Sequence, residues 1–384
     1  MTQPMNADAL IEKAHQATGL ENFDSDSYRE GLDILISDAN KNAMPERGVQ
    51  RFEESIVQVL ANRLKITDYL AKRPELLDRP IKNPVFVFGV PRTGTTLLSN
   101  LLAADPARRS PLTWEIDDPV PPATSKTLYT DPRAVERLKM EKELLAAAPE
   151  MGKYYRSSAI YPNECVYFMA HDFKTLMLES RGKLPNYRDW LLEQTDMTSA
   201  YQYHKKFLQV LQAEAPGTWN LKMPSHALWL ETLLKVYPDA KLIWTHRDPL
   251  TATGSFCSLI SLAHLGFMGR TDKDWVRENC TYQAKLHADR IMDFRDRFGE
   301  ERVIDVHYSQ LMREPLETMK ALYRALGDEF TAGAEQGMQN WIDDNPQDKF
   351  GKHEYKLAEF DLTPKDVESL FERYLARYDV EREG

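Results

Sequence analysis

The sequence predicts an α/β fold: a P-loop-like parallel β-sheet flanked by helices, with an N-terminal helical arm and a helical insertion. The first observation is a set of short apolar runs, each leading through a turn into a helical pattern. They are residues 85–88 (VFVF), 220–223 (NLKM), 241–245 (KLIWT) and 302–307 (RVIDVH). Runs of this length, rich in β-branched and aromatic residues, read as buried parallel strands. The second observation is GVPRTGTT directly after the first run. A strand, a tight glycine loop and a helix start aim backbone N–H groups and a helix dipole at one point, where an anion binds. The third is the repetition of strand-then-helix units, for which a parallel sheet is the economical solution.

Taken in order, residues 1–82 form the helical arm. Apolar residues at i, i+3/i+4 spacing predict helices over 7–18, 27–39 and 48–72. The last has Glu53, Glu54, Arg63 and Lys72 on a face read as solvated. Pro74, Pro80 and Pro84 close the arm, and an α/β domain over 83–384 follows. After the loop come Leu97, Leu98, Leu101 and Leu102 at helical spacing, then an exit at Asp105-Pro106. The stretch SPLTWEIDDPVPP is crowded with Pro111, Pro119, Pro121 and Pro122 and reads as a fixed loop, not a helix interior. Residues 131–215 form the helical insertion, whose Tyr-, Phe- and Met-rich part, 154–187, suits an apolar cavity that covers the acceptor site. An ordinary helical core is the competing reading of the same residues.

Composition narrows the function. The chain has 384 residues, 42% hydrophobic and 28% charged, which are globular values. A net charge of −10 argues against nucleic acid as a partner. Cys165, Cys257 and Cys280 show no C-x-x-C spacing, which fits a reducing cytoplasm. The start MTQPMNADAL lacks the basic flank and apolar core of a signal peptide, and no run of about 18 apolar residues predicts a membrane span. The nine histidines show no H-x-x-x-H or H-E-x-x-H pattern, so no metal is expected. No G-x-S-x-G elbow and no G-x-G-x-x-G after a strand is present.

The chemistry-bearing residues lie at strand ends. Gly89, Gly94 and Thr96 fit the P-loop pattern G-x-x-x-x-G-K-[ST], but Thr95 stands at the lysine position and the cation is Arg92. Losing that lysine argues against ordinary ATP or GTP chemistry. Lys222 ends the second run, at the strand edge where open α/β sheets bind ligands, and His226 follows it. Arg247 follows the third run, with Ser255 eight residues on; its forked donor suits phosphate. Glu115, beside Trp114, is a candidate proton acceptor, or else a partner of Arg108 or Arg109.

Together these residues resemble the PAPS-dependent sulfotransferases, most of all the bacterial branch with a G-x-P-R-[ST]-G-T-T loop. The resemblance implies that Arg92, Thr93, Gly94, Thr95 and Thr96 hold the 5′-phosphosulfate of the donor, 3′-phosphoadenosine 5′-phosphosulfate (PAPS). It implies that Arg247 and Ser255 hold the 3′-phosphate, retained in the product PAP. Tyr308 would lie near the adenine and Lys352 in a loop over the 3′-phosphate. Arg92 and Lys222 would stabilise the transferring group without a metal. Cytosolic relatives use a histidine in K-x-H as base; here that position is Pro224 and the histidine is His226. Other branches place a glutamate where Glu115 falls, so Glu115 is favoured and His226 is the runner-up. The acceptor would be a small-molecule alcohol or phenol. The competing functions are a P-loop-type ATP-dependent phosphotransferase and a non-catalytic PAP-binding module. A homo-oligomer stays open.

Overall fold

A computed structural model describes residues 4–147, 158–346 and 357–383. Helices α1 (Ala7–Thr18), α2 (Arg29–Ala39) and α3 (Glu46–Lys72) form the arm. The Asn6 side chain caps α1 by accepting from the Ala9 amide at 2.9 Å, and Gly19 ends it in the left-handed region at φ 68°. The face of α3 read as solvated is not so at Arg63, which is fully buried. It donates to the carbonyls of Phe23 (3.1 Å) and His171 (2.8 Å) and pairs with Asp172 at 3.1 Å. Its planar guanidinium stacks on Tyr203 at 4.5 Å, a contact that a 3.6-residue periodicity does not encode.

The sheet follows: β1 (Val85–Phe88), α4 (Thr95–Ala103), β2 (Arg108–Arg109), α5 (Thr113–Asp117) and α6 (Pro132–Ala147). The insertion continues through the short helices α7 (Val166–Met169), α8 (Leu176–Glu179) and α9 (Pro185–Asp189) to α10 (Thr198–Leu211). Then come β3 (Thr218–Lys222), α11 (Leu230–Val236), β4 (Lys241–His246), α12 (Pro249–Met268), α13 (Lys273–Phe298) and β5 (Val303–His307). Helices α14 (Tyr308–Arg313), α15 (Pro315–Leu326), α16 (Ala332–Asp344), α17 (Pro364–Leu370) and α18 (Glu372–Arg377) complete the described chain.

All pairings are parallel, in the order β2-β3-β1-β4-β5. Strand β1 is central. Its side chains alternate between two cores: Phe86 and Phe88 join the larger, Val85 and Val87 the smaller. Burial on both faces is why the run reads apolar throughout. The larger core extends from α1 through the insertion to α18, so the arm and the sheet share one interior.

One strand is added and two local expectations change. The pair Arg108–Arg109 is an edge strand, hidden from periodicity by its two charges. The segment around Glu115 is a one-and-a-half-turn helix, because the prolines flank it rather than interrupt it. Most of the described Tyr, Phe and Met residues of 158–187 are core: Phe168, Met169, Phe173 and Tyr187 are fully buried, whereas Tyr167 is 37% exposed. Helix α12 is also long and apolar enough, by length and composition, to cross a membrane; it packs in the interior through Phe256, Cys257 and Ile260.

Candidate active site

Because β1 lies between β3 and β4, the turns leaving these three strands open side by side at one sheet edge. Val87 pairs with Lys222 and Phe88 with Trp244, so the strands end nearly level. This is the edge where open parallel sheets bind ligands.

The β1 turn is braced from below. Thr93, fully buried, donates to the Val90 carbonyl at 2.7 Å and meets the Thr245 hydroxyl of β4 at 2.7 Å. Gly94 sits at φ 94°, and an added Cβ would lie 2.5 Å from the Tyr308 ring. Only glycine allows both the backbone and that approach. Helix α4 starts at Thr95, so its first N–H groups lack intrahelical acceptors and face the turn. Arg92 adopts φ 73°, in the left-handed region, unusual for a residue with a Cβ.

Lys222 is buried, with its ammonium 2.5 Å from Glu164 Oε1 and 3.3 Å from Thr96 Oγ1. Glu164 is fixed by its neighbour: the Cys165 amide donates to the Lys222 carbonyl at 2.9 Å. The Lys222 side chain is 4% exposed and that of Glu164 30%, so the pair has one closed and one open side. The sequence singled out Lys222 but missed Glu164. The only signal was a carboxylate next to a cysteine in a Pro-Asn-containing turn, which has no pattern of its own.

At β4, the Arg92 Nε donates to Ser255 Oγ at 2.8 Å, and Arg247 Nη1 donates to the Arg92 carbonyl at 3.1 Å. The Arg247 guanidinium lies over the Tyr308 ring at 4.2 Å. The remaining edge of Arg247 meets the Glu383 carboxylate. Thus Arg92, Arg247, Ser255 and Tyr308 form one corner, although 216 positions separate the first from the last. Arg92 turns toward this corner, not toward Lys222.

Two predicted residues stand apart. Glu115 is fully buried; Arg109 donates to its Oε1, and the Leu112 amide donates to Oε2 at 3.1 Å. Both oxygens are therefore committed, one of them to the first turn of α5. His226 is fully buried on the Phe86 side of β1, with Nδ1 2.9 Å from the Tyr201 hydroxyl and the Phe86 ring edge-on at 4.9 Å. Burial holds its pKa well below the usual histidine range, with the neighbouring His204 adding to the effect. Lys352 lies outside the described residues. Among the described residues, no group of three or more His, Cys, Asp or Glu side chains is arranged to hold a metal.

Residues 84–332 match the profile of the sulfotransferase family. The chain belongs to that family. Sulfotransferase STF9 from Mycobacterium avium shares 40% identity with it and superposes with a TM-score of 0.94, covering all of this chain and 99% of its own. STF1 from Mycobacterium tuberculosis H37Rv shares 29% identity at a TM-score of 0.84, covering 98% and 100%. The omega-hydroxy-beta-dihydromenaquinone-9 sulfotransferase Stf3 of Mycobacterium bovis is 28% identical over 260 residues, 64% of this chain. The chain spans 62% of the length of that curated relative.

Proposed function

We propose that the protein transfers a sulfuryl group from PAPS to a hydroxyl of an apolar small-molecule acceptor, leaving PAP. The observation that carries this reading is the convergence of Arg92, Lys222 and Arg247 on one sheet edge of an acidic chain. The residues fit such a donor. The cradle has room only for glycine at position 94, the first N–H groups of α4 face it, and a guanidinium fork stands at β4.

PAPS supplies the activated sulfuryl group. The amides of residues 93–96 bind the 5′ side, and Arg92, steered by Ser255, lies between the two anion positions. Arg247 and Ser255 take the 3′-phosphate, and the Tyr308 ring walls the nucleoside. Lys222 balances charge on the transferring oxygens. A sulfuryl group carries less charge than a phosphoryl group, so an ammonium at this position matches it. Glu164 holds the acceptor hydroxyl and takes its proton, since its side chain, unlike that of Lys222, keeps 30% of its surface open. Glu115 instead fixes α5 beside the site, through Arg109.

The acceptor class rests on two supports. Tyr167, one turn beyond Glu164, offers a half-open aromatic wall, and the name of the curated relative gives a hydroxylated menaquinone derivative as its acceptor. The three described cysteines are free and buried, which supports a reducing compartment such as the cytoplasm.

Thermal shift with PAP, ATP and Mg-ATP tests the donor, and mass spectrometry of acceptors incubated with PAPS tests the transfer. Stabilisation by PAP and addition of a sulfo group to a hydroxylated apolar acceptor are expected. Stabilisation by Mg-ATP alone would overturn the reading.

A further inference from the structure

We propose that the segment ending at Glu383 is an internal competitor for the donor's 3′-phosphate, so that nucleotide binding requires its release. Arg247 presents a two-donor edge to Glu383: Nε to Oε1 at 2.5 Å and Nη2 to Oε2 at 2.7 Å. This is the side-on geometry in which a guanidinium takes a carboxylate or a phosphate. The third contact of Arg247, through Nη1 to the Arg92 carbonyl, and its stacking on Tyr308 use the other edge and the face. The edge held by Glu383 has the two-donor geometry that a phosphate would take. Two anions cannot share it, because they would occupy the same donors and repel one another.

The carboxylate is delivered by a docked strap, not by a chance surface contact. Arg313 pairs with Glu381 at 2.6 Å. Arg382 donates to Asp248 at 3.1 Å and to Glu368 at 2.9 Å, and the Glu383 amide donates to Asp248 at 2.9 Å. Asp248 is buried and also caps α12, accepting from the Leu250 amide at 3.1 Å. Three consecutive residues are thus tied to α14, to α17 and to Asp248, the residue next to Arg247. Yet the Glu383 side chain stays 36% exposed, and its pair with Arg247 is solvent-screened. Such a pair is weak enough for a dianionic phosphate to displace. Linkage makes the effect reciprocal: the strap weakens nucleotide binding as much as nucleotide loosens the strap.

The inference rests on the assignment of Arg247 to the 3′-phosphate, and the test separates the two. Calorimetry would measure PAP and 5′-AMP, which lacks the 3′-phosphate, against the full chain, Glu383→Gln and Arg247→Ala. Glu383→Gln is expected to tighten PAP by about 5-fold and to leave 5′-AMP unchanged, the size of a screened ion pair. Arg247→Ala is expected to weaken PAP. If Arg247→Ala weakens PAP but Glu383→Gln does not tighten it, the competitor role is wrong. If Arg247→Ala leaves PAP unchanged, the 3′-phosphate assignment itself fails, and the competitor role with it.

Discussion

Two acid–base pairs of the protein, Arg109–Glu115 and Lys222–Glu164, differ in exposure. Arg109 and Glu115 are both closed to solvent, with side-chain exposures of 4% and 1%; Lys222 and Glu164 show 4% and 30%. The first pair spends both carboxylate oxygens on fixed partners, Arg109 and the Leu112 amide. The second leaves its carboxylate an open side. Sequence favoured Glu115 because its spacing from the loop resembles that of known bases. In the proposed reading the difference in solvent access, not the spacing from the loop, separates a carboxylate that exchanges a proton with a substrate from one that holds a helix.

The comparison breaks most visibly at the closed pair. Glu115→Ala leaves Arg109 buried without its partner, and removing one member of a buried ion pair typically costs ~3–5 kcal/mol. Urea unfolding should show that loss; an unchanged midpoint would mean that the pair is not structural. Next comes the cation of the open pair. Lys222→Ala should lower kcat by about 10²–10³-fold, as loss of a preorganised charge stabiliser does, with PAP affinity changed little. If it weakened PAP as much as it lowered kcat, Lys222 would be a binding residue only.

The smallest effect per residue concerns His226 and the other buried histidines. Burial pushes His171 and His287 down to about 4 and His204 to about 3, while the unfolded chain titrates near the ordinary ~6.5. Because the folded pKa is depressed, stability is full above pH 6.5 and falls as the pH drops toward 4, where the unfolded state takes up protons first. Each such histidine should cost ~2 kcal/mol at pH 5 relative to pH 7. Denaturation midpoints at the two pH values check this. Buried Glu179, raised to about 7, works in the opposite sense, so the comparison is made in Glu179→Gln; a flat profile there would show that these rings titrate in the fold as they do in the unfolded chain, reopening a proton-transfer role for His226.

Much of the architecture was legible because it is periodic. The arm helices, the four apolar strands and the turns after β1 and β4 follow from spacing and from glycine, proline and apolar order. What was hidden is what periodicity does not carry. Edge strand β2 consists of two arginines, and Arg63 lies on a polar stripe yet is buried by stacking and by carbonyl acceptors. Among the candidate site residues, Lys222 and Arg247 were singled out by their places at strand ends, Arg92 by the loop after β1, and Ser255 by its spacing from Arg247. Their division was not: Arg92 joins Ser255 because the turn holds it at a left-handed φ, a fact of backbone geometry. Glu164 was missed because only the parallel pairing of β3 with β1 brings Lys222 and Thr96 to it.

The most direct measurement of the central claim is kcat for Glu164→Gln against Glu115→Gln, each corrected for its folded fraction, with PAPS and one hydroxylated acceptor. Glu164→Gln should lose about 10²–10⁴-fold in kcat with PAP affinity nearly intact, as loss of a general base does, whereas folded Glu115→Gln should stay near the unmodified enzyme. The reverse pattern, with kcat lost only in Glu115→Gln, would contradict the account and return the base to the closed pair.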